Sequence, residues 1–156
     1  MDPQVLMLEA IAVAREALAL DEVPIGCVIL HEPTGRIVGR AHNRRHVDAD
    51  PTAHAEILAI RQAGLALGDW RLEACTLAVT LEPCPMCAGA MVNARVRRLI
   101  YGCADPKAGA VRTLYRLCED PRLNHRLQVV PDVLAEPCAA LLREFFQARR
   151  GLGAVE

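Results

Sequence analysis

The stretch Cys75-Thr-Leu-Ala-Val-Thr-Leu81-Glu-Pro-Cys84-Pro-Met-Cys87-Ala-Gly-Ala90 decides the fold. Residues 75–81 form a short, mostly apolar run and read as a strand. Pro83 and Pro85 then bracket Cys84 and stop it. Pro85 suits a first helical turn, where a missing N–H costs nothing, and the helix runs on to about Ala94. Residues 97–102 return as a further strand.

Outward from this junction the pattern repeats. Upstream, residues 4–20 read as a helix on Leu6, Ile11, Val13, Leu18 and Leu20, with Asp2 as cap and Pro3 in the first turn. Residues 25–31 are short and rich in β-branched side chains, a buried strand. Glu32-Pro-Thr-Gly35 is a turn, and residues 36–41 complete a hairpin. Asp48 to Thr52 is a polar loop. A helix over 53–67 places Ile57, Leu58, Ile60 and Leu65 on one side, with Gly64 and Gly68 near its end, and Trp70 reads as a cap on the core. Downstream, 103–124 is mostly loop with a short helical piece near 111–118. A strand over 127–131 and an amphipathic helix over 134–149 follow. Nine alternating elements with five strands argue a three-layer α/β domain. We expect one domain over residues 1–150 and a frayed tail over 151–156.

The sequence has 156 residues, 53% hydrophobic and 24% charged, ordinary usage that can bury a core. It holds no run of about 18 apolar residues, the length a membrane span needs. Seven cysteines, an odd count, cannot all pair within one chain. Met1 is followed by acidic Asp2, and Glu9, Arg15 and Glu16 interrupt the first apolar stretch, which is unlike a signal peptide. A reducing cytoplasm is therefore the expected compartment, where clustered Cys near His points to metal or catalysis. The net charge of −1 conceals a division. Residues 95–126 carry eight basic groups against three acids, while residues 1–94 carry seven Arg against twelve acids. The basic segment reads either as a solvated face or as a contact for a polyanion. Five aromatic residues, Trp70, Tyr101, Tyr115, Phe145 and Phe146, are too few to read a nucleic acid mainly by stacking.

Chemistry concentrates in Thr52-Ala-His54-Ala-Glu56, Glu82-Pro-Cys84 and Met86-Cys87. Cys84 and Cys87 make a Cys-x-x-Cys at a helix start, where aligned peptide dipoles and free N–H groups favour the thiolate. Alone, such a pair binds metal, exchanges disulfides or lies inert in a core. His54 and Glu56 weigh toward metal. A neutral imidazole with two thiolates makes three protein ligands, and zinc so held keeps a fourth position for water, the catalytic arrangement. Two residues turn a helix by about 200°, so Glu56 and His54 cannot share one helical direction. Glu56 reaches the activated water only if residues 54–56 lie in an irregular first turn, where a carboxylate shuttles protons. The two halves, with His54 and Cys84 30 residues apart, resemble the H-x-E…P-C-x-x-C signature of zinc nucleobase deaminases.

Beyond that signature the chain resembles the bacterial tRNA adenosine deaminase family over about residues 4–150. The resemblance rests on Glu22-Val-Pro-Ile-Gly26, His42-Asn-Arg44, Asp50-Pro-Thr-Ala-His-Ala-Glu-Ile57, Val79-Thr-Leu-Glu-Pro-Cys84, Met86-Cys-Ala-Gly-Ala-Met91, Asp105 with Lys107, Gly109-Ala110, Leu123-Asn-His125, Leu141-Leu and Phe145-Phe146. The resemblance implies a cytidine-deaminase-like α/β/α fold around a central five-stranded mixed sheet. It also implies a homodimer with its site near the interface. His54, Cys84 and Cys87 would hold one zinc ion, and Glu56 would be the general acid/base. Asn43 and the backbone N–H of Ala55 would contact the target nucleotide. Val23, Pro24 and Leu81 would wall the pocket, Asp105 and Lys107 would meet flanking nucleotides, and Arg149 with Arg150 would lie near the anticodon stem.

The implied reaction is attack of activated water on C6 of a wobble adenosine in a tRNA anticodon stem-loop. Glu56 would take the water proton, pass it to N1 and later protonate the leaving amine, giving inosine and ammonia. A looped-out anticodon base is cheap to present. The alternative is a small-molecule deaminase acting on guanine, cytosine or a nucleoside. A non-catalytic subunit leaves Glu56 without a task, and a thiol oxidoreductase leaves His54 and Glu56 unexplained. The chain departs from the family at Arg112, where a small residue is usual in a substrate-facing loop, at Ala78 in place of an aromatic, and in the first hairpin. An extra Arg112 would either add a phosphate contact or block a pose. Other residues read more plainly. His31 and His46 are surface histidines, His42 a strand residue, and His125 as much structural as functional. Phe145-Phe146 read as core plus one exposed ring, and Cys27, Cys75, Cys103, Cys118 and Cys138 as small buried hydrophobes.

Overall fold

A computed structural model describes residues 1–151. Helix α1 (Pro3–Glu16) starts where expected, with the Asp2 carboxylate accepting from Gln4 N at 2.8 Å. It does not run to residue 20 as an α-helix. A 3-10 turn over Ala17–Leu20 takes over and ends on Asp21 at φ 55. Strands β1 (Gly26–His31) and β2 (Arg36–His42) form the antiparallel hairpin. Helix α2 (Ala55–Leu67) leads to β3 (Cys75–Leu81), and α3 (Pro85–Asn93) leads to β4 (Arg98–Cys103). Strand β5 (Gln128–Val130) and helix α4 (Ala135–Gly151) complete the described chain. Of the frayed tail expected over 151–156, Gly151 belongs to α4, and residues 152–156 lie outside the described residues.

The sheet order is β2-β1-β3-β4-β5. β1 pairs antiparallel with both β2 and β3, whereas β3–β4 and β4–β5 are parallel. The mixed, five-stranded sheet is the expected one. Its two faces are covered by different helices. Ala55, Ala59, Met91 and Val92 of α2 and α3 pack with Leu77, Val79 and Leu99 on one side. Leu6, Met7 and Ile11 of α1, with Leu141 of α4, pack with Val28, Leu30 and Ile100 on the other. Burial on both faces explains why β1 and β3 read as apolar runs rather than alternating ones.

Three local expectations are corrected. The fully buried face of α2 is the alanine stripe Ala55, Ala59 and Ala63, with Ile57, Leu58 and Ile60 only partly buried against the core at its flanks, while Leu65 is 86% exposed. The helix lies so close to β2 that a Cβ on Gly39 would stand 2.4 Å from the Ala59 carbonyl oxygen, leaving room for alanine only. Trp70 does not cap the core: it is 58% exposed, with the guanidinium groups of Arg71 and Arg95 at 4.7 and 5.8 Å from its ring, while Leu72 is buried. The helical piece near 111–118 shrinks to a 3-10 turn over Leu117–Glu119. The amides of Val111, Arg112 and Thr113 instead converge on the Glu82 carboxylate.

Elsewhere the plain readings stand. His42 Nδ1 and His125 Nε2 donate to the backbone carbonyls of Asn43 and Val96. Phe145 is buried edge-to-face against the half-exposed Phe146. The five cysteines outside the motif are buried free thiols. No described helix is long and apolar enough to cross a membrane.

Candidate active site

Two helix starts meet at one end of the sheet. His54 is the N-cap of α2, in extended backbone (φ −77, ψ 151), and Cys84 is the N-cap of α3, with Pro85 in the first turn. Leaving the helix at its cap frees His54 from the helical direction. Glu56 sits inside the first turn and is only 4% exposed, so both side chains serve one site. His54 Nδ1 stands 3.6 Å from Cys84 Sγ and 3.4 Å from Cys87 Sγ. The three ligand atoms lie within 4.8 Å of one another. Ordinary Zn–S and Zn–N lengths about a tetrahedral centre would separate sulfur from nitrogen by about 3.5 Å. The donor set and its spacing therefore fit one zinc ion.

The electrostatics agree with that use. Cys84 is held down to about 4, first by the hydrogen bond from Cys87, then by His54 and the Cys87 amide, against the cost of burial. Cys87 is pushed up because it donates to Cys84 and is itself buried. A divalent cation is the group that would let both ionise. The bond to Cys84 raises His54 against burial. Burial pushes Glu56 up to about 7, opposed by its own backbone N–H and by His54.

A cavity of about 400 Å³ opens above these residues. Each of its two loop walls is anchored by a buried carboxylate. Glu22, 0% exposed, accepts from Val47 N at 2.8 Å and from Asn43 Nδ2 at 3.4 Å, and Asn43 Oδ1 accepts from Arg45 N. Glu82, 2% exposed, accepts from the amides of Asp105, Val111, Arg112 and Thr113 at 2.8–3.2 Å and from the Thr113 hydroxyl. Burial alone would raise Glu82, but these donors hold it below the ordinary carboxylate range. A Cβ on Gly109 would stand 2.4 Å from the Glu82 carboxylate, so only glycine fits there.

Val23, Asn43, Ala55, Leu81, Asp105 and Lys107 line this cavity with His54, Glu56 and Cys84. Pro24 does not; it is buried at the apex of a tight turn in which Ile25 N donates to Val23 O, and those two neighbours line the cavity instead. Arg149 and Arg150 lie away from it. Arg149 pairs with Asp21 at 3.2 Å and stacks on Phe145, and Arg150 is exposed. Five lining residues, Ile25, Arg45, Glu82, Ala108 and Phe146, were absent from the expected set. Hydrophobic periodicity carries no signal for the loop positions among them, and Phe146 on α4 reads only as an exposed ring.

The basic segment is also less free than its charge suggests. Arg98, Arg112, Arg116 and Arg122 pair with Glu32, Glu119, Glu119 and Asp120. Arg95 and Arg126 donate to backbone carbonyls. Arg112 therefore neither reaches outward nor blocks the pocket. Of the eight basic groups, only Lys107 lines the cavity.

The cytidine and deoxycytidylate deaminase zinc-binding region family matches residues 1–103. A tRNA-specific adenosine deaminase of Bacillus subtilis is 48% identical over 94% of this chain and 90% of that protein. A solved structure from studies of A-to-I editing by tRNA:A34 deaminases superposes with a TM-score of 0.83 at 45% identity, covering 88% of this chain and 99% of that one. The guanine deaminase of Nitrosomonas europaea shares the architecture at a TM-score of 0.77 but only 26% identity, over 92% of this chain and 84% of that one. Family match, fold and metal-ligand geometry agree, and the chain belongs to the cytidine and deoxycytidylate deaminase family and, within it, to the tRNA-specific adenosine deaminases.

Proposed function

We infer that this protein hydrolytically deaminates adenosine to inosine at the wobble position of a tRNA anticodon, releasing ammonia. The observation that carries the reading is the 48% identity to a tRNA-specific adenosine deaminase across almost the whole of both chains. His54, Cys84 and Cys87 would hold the zinc, which when bound would supply Lewis-acid activation of water. Glu56, buried beside that point with a carboxyl pushed up to about 7, takes the water proton and delivers it to N1 of the purine, then takes the proton of the new C6 hydroxyl and gives it to the amine, so that the C6–N bond breaks, ammonia leaves and the C6 carbonyl forms. The Ala55 amide, in the first turn of α2, is one of the N–H groups a helix cannot satisfy internally and is available to the base. Asn43 keeps one amide hydrogen for the nucleotide, the other being directed to Glu22.

The cavity lies at the small end of ligand sites, about 300–1,000 Å³, and suits one extruded nucleoside rather than a stacked pair. A homodimer fits the same reading. An apolar groove lined by Ile57, Met86, Val92, Leu117 and Leu123 begins on the first turn of α3, beside the ligand Cys87. The cytoplasm, where tRNA and a reducing pool coexist, is the compartment that keeps seven thiols free.

The test is direct. Purified protein is offered an anticodon stem-loop with a wobble adenosine and, separately, free guanine, cytosine and adenosine. Inosine in the RNA with the free bases untouched is the expected result. Turnover of free bases alone would overturn it in favour of the small-molecule reading that the guanine deaminase likeness represents.

A further inference from the structure

Among the described residues nine arginines pair with carboxylates. Arg45 does not. Among the described residues its guanidinium makes no ion pair or hydrogen bond, yet it is exposed and lines the catalytic cavity with His54 and Glu56. Its backbone is firmly placed. Arg45 N donates to Asn43 Oδ1 at 3.2 Å and its carbonyl accepts from Asp50 N at 3.1 Å. The neighbouring Arg44 is clamped on Asp48, and Val47 N is tied to Glu22. The loop is therefore rigid while this one side chain is left free at the cavity mouth. Lys107, from the 103–113 loop, is the other exposed cation on the same cavity without an ion pair among the described residues.

The carboxylates of the cavity are engaged inward. Glu82 holds four amides, and Asp105 accepts from Lys107 N and Ala108 N at 2.9 and 3.1 Å. A nucleotide whose base sits over Glu56 must leave its flanking phosphates at the mouth, because the cavity takes only one nucleoside. The charged groups free to meet them are these two cations, and guanidinium presents a planar fork of donors that matches phosphate.

We propose that Arg45 is a specificity-determining residue that grips a phosphate flanking the extruded nucleotide. This rests on the tRNA-deaminase reading and deepens it. The residue selects for RNA over free nucleoside or base by binding what those lack, and it takes no part in the chemical step.

The experiment is steady-state kinetics on an anticodon stem-loop at several potassium chloride concentrations, with wild type, Arg45→Gln and Arg45→Lys. Arg45→Gln should raise KM about three- to tenfold with kcat unchanged. It should lower the slope of log(kcat/KM) against log salt by about 0.7, one single-strand phosphate contact. Arg45→Lys should restore the slope and part of the KM, and both variants should keep wild-type metal content and melting temperature. An active wild type with Arg45→Gln indistinguishable from it would overturn this inference alone. So would a raised KM with an unchanged salt slope, which would mean contact with the base. Wild-type protein inert on the RNA would overturn the tRNA reading as well.

Discussion

The floor of the cavity and its rim are built on opposite plans. On the floor, His54, Glu56, Cys84 and Cys87 come from two short segments, each fixed by the cap and first turn of a helix. At the rim, the 43–50 and 103–113 loops have almost no regular structure and hang from Glu22 and Glu82, two buried acids that touch no metal ligand in the hydrogen-bond network. The difference teaches where each kind of information is kept. Chemistry is written in contiguous motifs, because helix starts orient their own residues. Recognition is written in long-range anchors, because a loop must borrow its shape from elsewhere.

This comparison can be broken at either side. The largest effect belongs to the floor. Cys87→Ala should drop bound zinc from one per chain to none and abolish turnover with it. Metal analysis that found full occupancy would contradict the ligand set. At the rim, Glu82→Ala leaves four amides without their acceptor and should cost about 3–5 kcal/mol in urea melts. A loss under about 1 kcal/mol would mean that the loop holds itself.

Glu82 also makes an acid-dependent prediction. Its carboxyl is held below the ordinary range in the folded state, so the carboxylate contributes stability that is fully present above the unfolded value of about 4.3 and is lost as pH falls through the lower folded value. The stability gap between wild type and Glu82→Gln should narrow on acidification below about pH 4.3. A gap constant from neutrality downward would show that hydrogen-bond geometry rather than charge carries the anchor. The smallest effect is expected at Arg112. Its pair with Glu119 is one-third exposed, so Arg112→Ala should cost at most about 1 kcal/mol and leave the salt dependence of RNA turnover unchanged. A changed salt slope would restore it to the RNA-facing surface.

The same contrast governs what could be read before the structure was known. The order of elements, the mixed sheet and the metal triad were legible because strand–Pro–Cys–Pro and Asp50-Pro-Thr-Ala-His54 are local signals with local consequences. Glu56 shares a site with His54 because His54 sits at the cap and not in the helix. The rim was not legible. Glu82 and the amides of 111–113 are some 30 residues apart, and nothing in Val-Arg-Thr announces a buried acceptor. Charge counting misled for a similar reason. Most arginines of residues 95–126 are spent on local acids and carbonyls, while the free cation Arg45 comes from the acidic half of the chain. The alanine face of α2 was missed because larger residues dominate a periodicity count, whereas the close approach at Gly39 admits only small ones.

The central claim is that Glu56 moves the proton for water activated at the His54–Cys84–Cys87 centre. The measurement that tests it most directly compares wild type with Glu56→Gln, reading zinc per chain and inosine per stem-loop on the same samples. The account predicts equal zinc, inosine at the wobble adenosine with wild type, and turnover reduced about 10²–10⁴-fold or lost in the variant. Equal zinc with undiminished inosine from Glu56→Gln would contradict it.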